Sequence, residues 1–387
     1  MTTPTARFLL VTWAGGGNVN PLMALARRLV DRGHEVRALG PAELYGRFEA
    51  DGIPSRAHRS PQEWTGGPAR AARTADERQA ACLRGMAADV IAEVQRQPTD
   101  VAVVDYMQPD ALCAVEHAGV PTAALVHTLY STQAVGPSSP MTMISGVGPV
   151  NALRAELGLP PVDALPGLLD LAQLVIVTTV EELDRPDPPL PPNLRFVGPL
   201  VEEPGPDAVW TPPPGDGALV VASLGTTPMD EAPVVQLVLD ALGGMDVRGF
   251  VTVGDHLDPT ALRPPARVVV SGYVRHAAVL PHASAFVTHA GLSGIGAALT
   301  FGVPMVCVPL GREQPDNAAH VEAAGAGLVL GRGATVDELR SAITEVIGDD
   351  RYRSAARRLA AAIGDIDGGS QAVVELEALA NAGGNYG

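Results

Sequence analysis

The chain has 387 residues, is 46% hydrophobic and 18% charged, and carries a formal net charge of −16. That surplus of negative charge argues against nucleic acid as a partner, and no apolar run approaches the roughly 20 residues needed to span a bilayer. Its basic residues are all arginine, which excludes a Walker-type phosphate lysine, a pyridoxal Schiff base and covalent catalysis by lysine.

The length implies two domains of ordinary size. Cys82, Cys113 and Cys307 are odd in number and lack close ligand spacing, so they imply neither a disulfide framework nor a zinc site. The N-terminus has no long apolar core and no cleavage motif, and a cytoplasmic enzyme is expected.

In chain order, Phe8 to Trp13 reads as a buried strand, followed by a turn with Gly15 to Gly17. A helical pattern then runs through Leu22, Leu25, Ala26, Leu29 and Val30, with Asn20 as its cap and Pro21 at its first position. Glu35 to Leu39 begins a second strand and completes a βαβ unit. Further strands are predicted at Val101 to Val104, Thr122 to Val126 and Leu174 to Thr178, alternating with helices as in an α/β domain with a parallel sheet. The segments Ser55 to Arg84 and Val135 to Gly148 read as long binding loops.

Prolines crowd the stretch from Pro186 to Pro214, which is hostile to regular structure. The strand and helix alternation resumes at Ala218, with strands predicted at Phe250 to Val253, Val268 to Ser271, Ala285 to Thr288, Met305 to Val308 and Gly327 to Leu330. The expected organisation is an N-terminal domain over 1–203, a linker over 204–216, a second domain over 217–368 and a C-terminal helical tail over 369–387.

The most informative stretch runs from Phe286 to Val321. A strand leads into His289-Ala290-Gly291 and then into small residues suited to opening a helix, whose N-terminal N–H groups and dipole suit an anion. A second strand ends at Pro309 and is followed by Arg312, Glu313, Gln314, Asp316 and Asn317, placed to face the same crevice.

Together with the linker and the paired α/β domains, this stretch resembles the inverting glycosyltransferases of the GT-B fold. The bacterial enzymes that decorate antibiotics and other natural products are the particular likeness. The resemblance covers nearly the whole chain and is most specific over Gly272 to Val321. It implies two Rossmann-like domains whose parallel sheets face across a cleft, the acceptor bound by the first domain and the nucleotide sugar by the second.

By that resemblance His289 donates to the donor diphosphate, helped by Gly291, Ser293 and Gly294 at a helix N-terminus and by a loop of Ser223, Gly225 and Thr226. His289 and the helix end supply the positive potential that a metal would otherwise give. Tyr273 stacks on the nucleobase, the backbone at Val274 reads the base edge, and Glu313 and Gln314 hold the sugar. No cofactor and no metal are implied. The Asp365-Ile366-Asp367 run resembles a metal-binding motif only superficially, and His276, His282 and His320 read as loop or helix-surface residues.

Two departures matter. Many relatives carry a histidine base where this chain has Asn18, and Asn cannot accept a proton near neutral pH. Asp105 and His127 are equal candidates for the missing base, with Asn18 as a positioner. Relatives of this general type also carry a ribose-gripping Glu where this chain has Ala297, which fits a dTDP donor better than UDP. Trp64, Met107, Met141 and Met143 are expected to line an apolar acceptor pocket.

The expected activity is transfer of a sugar, a deoxyhexose from dTDP, to a hydrophobic aglycone. The partners are two small molecules, without nucleic acid or a membrane span, and a homodimer is compatible. The competing readings are a catalytically silent sugar-nucleotide-binding partner of another glycosyltransferase and a nucleotide-sugar epimerase.

Overall fold

The computed structural model describes residues 5–15, 17–59, 75–135, 141, 146–201, 210–225, 229, 231–254, 257–258, 260, 262–366 and 368–383. The chain divides into two compact units. Unit 1 comprises Met1–Thr178, Pro186–Val197 and Gly369–Gly387, and unit 2 comprises Thr179–Arg185 and Gly198–Gly368. The chain thus leaves unit 1 at Val197, ahead of the expected edge at 203, and residues 202–209 of the Pro-rich stretch lie outside the described residues.

Unit 1 is built on a seven-stranded parallel sheet in the order β3-β2-β1-β4-β5-β6-β7. The strands are β1 (Arg7–Val11), β2 (Glu35–Gly40), β3 (Ser55–Ala57), β4 (Val101–Asp105), β5 (Thr122–Val126), β6 (Leu174–Val177) and β7 (Leu194–Phe196). The central strands read RFLLV, VAVVD and TAALV and are buried almost throughout, because helices cover both faces of the sheet. Two short edge strands escape sequence reasoning. β3 lies where a loop was expected and β7 in the proline cluster, where an edge position tolerates neighbours that cannot donate to a ladder.

The helices that matter in unit 1 are α1 (Val19–Asp31), α2 (Ala75–Arg96) and α3 (Pro109–His117). Helix α2 occupies the end of the segment that was expected to be a loop. Helix α1 starts at Val19 rather than at Pro21, so the N-cap position belongs to Asn18 and not to the expected Asn20. Asn18 makes no side-chain cap, and Asn20 instead accepts from Arg47 at 3.0 Å.

Unit 2 carries six parallel strands in the order β10-β9-β8-β11-β12-β13. These are β8 (Leu219–Ser223), β9 (Arg248–Thr252), β10 (Val268–Ser271), β11 (Ala285–Thr288), β12 (Met305–Cys307) and β13 (Gly327–Val329). Its helices include α4 (Ala232–Gly243), α5 (Leu292–Thr300), α6 (Gln314–Ala323), α7 (Val336–Gly348) and α8 (Asp350–Ile366). Helix α7 opens with a complete capping box between Thr335 and Glu338.

The last helix, α9 (Gly368–Gly383), belongs with unit 1. Its Glu377 receives Arg32 at 2.7 Å and His34 at 2.9 Å, and that pairing holds the Glu377 carboxyl below the usual carboxylate range against the upward push of burial. Among the described residues no helix is long and apolar enough to cross a membrane.

Both sheets follow one connection rule. Each starts at an inner strand, winds outward through two neighbours, then returns to the other side of the first strand and winds the opposite way. In such sheets the loops at the carboxyl ends of the two strands flanking the reversal open a crevice where ligands bind. The reversal lies between β1 and β4 in unit 1 and between β8 and β11 in unit 2.

Candidate functional site

In unit 1 the reversal brings together the candidate base residues. Asn18 stands past β1, Asp105 ends β4 and His127 follows β5. The Asn18 amide Nδ2 donates to Asp105 Oδ2 and to the Trp13 carbonyl, both at 2.8 Å, and its Oδ1 accepts from the Gly15 N–H at 3.1 Å. Asp105 Oδ1 accepts from the Met107 N–H at 3.0 Å and pairs with His127 Nε2 at 3.2 Å. The Asn18 and Asp105 side chains are both buried. The His127 ring lies edge-on to Tyr106, whose hydroxyl shares a 2.7 Å hydrogen bond with Thr128.

The order of these bonds has a chemical consequence. A carboxylate that accepts from Nε2–H fixes the imidazole tautomer and leaves the basic lone pair on Nδ1. Asn18 holds the other carboxylate oxygen, so its amide is committed to Asp105 and to its own loop. The asparagine gives up helix capping and instead orients the acid.

In unit 2 β8 ends at Ser223 and the loop after it carries Gly225, while the loop after β11 carries His289, Ala290 and Gly291 at the start of α5. Gly225 has φ of 102°, in the region that glycine alone enters cheaply, and a Cβ there would stand 3.1 Å from the His289 ring. A Cβ on Gly291 would stand 2.6 Å from His289 Nε2. The imidazole is therefore wedged between two glycines. Ala290 takes a left-handed φ of 66°, and its turn is held at both ends. Its N–H donates to Thr288 Oγ1 at 3.2 Å, and its carbonyl accepts from Asn317 Nδ2 at 2.9 Å.

Burial pushes the His289 imidazole down to about 4; Arg312 adds to the fall, while the Ser223 carbonyl and Glu231 act against it. His289 Nδ1 is buried without a well-formed hydrogen bond. Near neutral pH burial thus favours the neutral imidazole, which donates one N–H and brings no charge. The N-terminus of α5, with about half a unit charge, and the Arg312 guanidinium are the positive features beside it.

The remaining donor-side candidates divide. Ser293 and Gly294 fall in the first turn of α5. Tyr273 is 45% exposed in the extended segment that follows β10, with Val274 next to it half-buried. Glu313 holds the N-cap position of α6 and is half-buried. Gln314 is turned inward. Its Oε1 accepts from the N–H groups of Leu310 and Gly311 at 2.8 and 3.2 Å, and its Nε2 faces the Met229 thioether at 3.2 Å. Thr226 lies outside the described residues, as do Trp64 and Met143. Among the acceptor candidates, Met107 is half-buried against the unit 1 core, and Met141 is wholly inside that core. Met141 packs within that core, and its position in the sequence carries no sign of which way the thioether turns.

Several residues near the site were missed. His276, expected on a loop or helix surface, opens a short helix over His276–Val279 and is half-buried. Burial and then the His289 charge push it down to about 4, and its ring lies edge-on to Phe286, near Gly294. Glu231 is buried and accepts from the Met229 N–H at 2.7 Å. Neither Glu231 nor Met229 belongs to a recognisable spacing, so no signal in the sequence could have found them. Among the described residues no three His, Cys, Asp or Glu side chains are grouped as a metal ion would require, and Asp367 lies outside them.

Comparison with known proteins places the chain in a family. The family model described as UDP-glucoronosyl and UDP-glucosyl transferase matches residues 150–365, more than half of the chain. The chain is 29% identical over 404 residues to 4'-demethylrebeccamycin synthase of Lentzea aerocolonigenes, covering 92% of this chain and 94% of the relative. Its fold is similar to that of the solved glycosyltransferase of kitacinnamycin, with a TM-score of 0.79 at 22% identity over 97% of this chain and 99% of the other. It is likewise similar to a spinosyn rhamnosyltransferase solved with thymidine diphosphate, with a TM-score of 0.71 at 19% identity over 96% of this chain and 100% of the other. The chain belongs to the UDP-glucoronosyl and UDP-glucosyl transferase family, and it is a glycosyltransferase of the GT-B fold.

Proposed function

We propose that this glycosyltransferase acts by inversion in natural-product biosynthesis, moving a deoxyhexose from a dTDP donor onto a nucleophile of a hydrophobic aglycone. The observation that carries the reading is the hydrogen-bonded Asn18, Asp105 and His127 cluster at the carboxyl edge of the unit 1 sheet. It supplies an imidazole base just past β5 in a chain with asparagine where one is expected at position 18.

In the reaction, His127 Nδ1 takes the proton of the acceptor as its oxygen attacks the anomeric carbon. Asp105 stabilises the imidazolium that forms, and Asn18 keeps Asp105 in register. The bond from the anomeric carbon to the leaving oxygen breaks on the opposite face, and its electrons leave with the nucleoside diphosphate. The new charge meets the N–H groups at the start of α5, the neutral His289 N–H and Arg312. These groups ask for no cofactor. Ala297 supports a thymidine donor, as do two glycosyltransferases of similar fold that were solved with dTDP.

The test is incubation with radiolabelled dTDP- and UDP-sugars and a panel of aglycones, alongside His127→Ala. Transfer by the wild type, lost in a variant that still binds dTDP, is expected. A wild type that binds dTDP and never turns over would instead be a silent binding partner.

A further inference from the structure

The buried polar groups of unit 1 are distributed unevenly. Away from the carboxyl edge of its sheet they are paired. Arg154 is fully buried and reaches Glu116 at 2.7 Å and the Pro160 carbonyl at 2.6 Å. His34 bridges the Ala6 N–H and Glu377, and Arg37 holds Glu93 at 2.9 Å.

Buried side-chain atoms without a hydrogen bond occur among the described residues of unit 1 at Trp13, Asp51, His58, Gln108, Asp110 and Thr132. Asp51 is ion-paired with Arg27, and His58 has other contacts. The other four all follow the carboxyl ends of neighbouring strands. Trp13 lies just past β1, Gln108 and Asp110 lie just past β4, and Thr132 lies past β5, on three strands that are consecutive neighbours. Two of them flank the base cluster directly. The Trp13 carbonyl accepts from Asn18, and the Gln108 N–H donates to the Asp105 carbonyl at 3.0 Å.

Native proteins pair almost every buried polar group, so a local concentration of unpaired ones marks a place where a ligand completes the set. Trp13 offers a lone donor, Nε1–H. Gln108 has both ends of its amide unpaired and buried, Oε1 as acceptor and Nε2 as donor, in a residue 4% exposed. An amide with both ends vacant is matched best by another planar group that presents a donor and an acceptor side by side.

We propose that Gln108 and Trp13 recognise the acceptor, Gln108 pairing with the N–H and C=O of a lactam, imide or carboxamide and Trp13 donating to a neighbouring carbonyl. The inference rests on the reading that unit 1 binds the acceptor, and it names the polar chemistry that acceptor carries. Asp110 lies under the same edge with Oδ2 unpaired, and burial pushes its carboxyl up to about 7 against the pull of the Asp110 and Ala111 N–H groups. Specificity then comes from unpaired polar groups beside the base, because a site built to hydrogen-bond a group rejects the analogue that lacks it.

Three bicyclic phenols of one outline test this without any donor: 1-naphthol, naphthalene-1,5-diol and 5-hydroxyisoquinolin-1(2H)-one. Calorimetric titration is expected to show the lactam binding the wild type at least about tenfold more tightly than the other two, a preference that Gln108→Leu and Gln108→Met abolish. Equal binding of all three, binding of none at millimolar probe, parity of the diol with the lactam, or a preference that survives Gln108→Leu overturns the proposal. A second readout keeps folding separate from recognition. Without ligand, Gln108→Met and Trp13→Phe are expected to leave the unfolding midpoint unchanged or raised, since each removes an unpaired buried group. A fall of several degrees in both would show that these groups serve the fold, and would overturn the proposal. Because no sugar transfer is read, lactam binding without turnover would count against the proposed activity and leave this inference standing.

Discussion

The two units wind their sheets by the same rule and put their chemistry at the same reversal, yet they prepare the histidine there in opposite ways. In unit 1 the imidazole of His127 is paired with a carboxylate that is itself held by Asn18 and by the Met107 N–H. In unit 2 the imidazole of His289 is wedged between glycines and kept neutral by burial, with His276 in the same state beside it. A carboxylate partner equips a ring to accept a proton and carry charge. A ring left dry and neutral gives a directed N–H to an anion and leaves the charge to be supplied by the helix end and Arg312. One topology thus supports general base chemistry and leaving-group binding according to what faces the ring.

The largest effects should come from breaking the charged half of this comparison. His127→Ala is expected to lower kcat by about 10²- to 10⁴-fold while dTDP affinity measured by calorimetry stays within a factor of two or so. His289→Ala should do the reverse in kind. Donor affinity and turnover both fall, by a factor of roughly 5 to 150 for the loss of a buried hydrogen bond to a charged group. If either variant showed the other's pattern, the division of labour between the units would be wrong.

Asn18→Ala probes the support beneath the base. It leaves Asp105 Oδ2 without its partner, and a loss of about 1 to 3 kcal/mol is expected, expressed in kcat more than in donor affinity. A histidine at the same position sharpens the point. Asn18→His would compete with His127 for Asp105, so the His127→Ala defect should be partly repaired in the double variant, read as recovered turnover.

The sheets were legible because fully buried parallel strands spell themselves as short apolar runs, and nearly all of those expected were found within a residue or two. β3 and β7 were not, since an edge strand of three residues has no periodicity to read. The candidates Asn18, Asp105 and His127 were nameable from sequence, but their bonding was not. Nothing in the spacing says that Asn18 turns from its helix to the acid, or that the acid has one oxygen for each partner. Gln314 shows the same limit from the other side. The sequence gives the residue, while its inward turn onto Leu310 and Gly311 follows from backbone N–H groups that only the folded loop presents.

The units should also differ in sign when pH changes. The His289 imidazole is held near 4 in the fold against about 6.5 in an unfolded chain. Between those values the unfolded state binds the extra proton, so this contribution to stability is present above about 6.5 and is lost as pH falls toward 4. Asp110 is raised to about 7. The folded state then keeps a proton that the unfolded chain has released, so its contribution is present below the unfolded carboxylate value of about 3.9 and is lost as pH rises through 7. His289→Gln should therefore raise the urea midpoint at pH 5 and leave it little changed at pH 7.5. Asp110→Asn should raise it at pH 7.5 and leave it little changed at pH 4, each by about 1 kcal/mol or more.

The smallest effect expected, and the most local, concerns the turn that aims His289. Ala290 sits at a left-handed φ that costs a non-glycine residue roughly 1 to 2 kcal/mol. The turn persists because Thr288 takes its N–H and Asn317 takes its carbonyl. Asn317→Ala removes one of the two holds, and a drop in donor affinity of about 3- to 10-fold is expected, with kcat at saturating donor nearly unchanged. Strain and aim are separable here. Ala290→Gly removes the backbone penalty, so adding it to Asn317→Ala should restore the unfolding midpoint. It should not restore the affinity, because a glycine at that turn is free to point the imidazole elsewhere. Recovery of both together would mean that Asn317 only relieves strain and has no part in directing the ring.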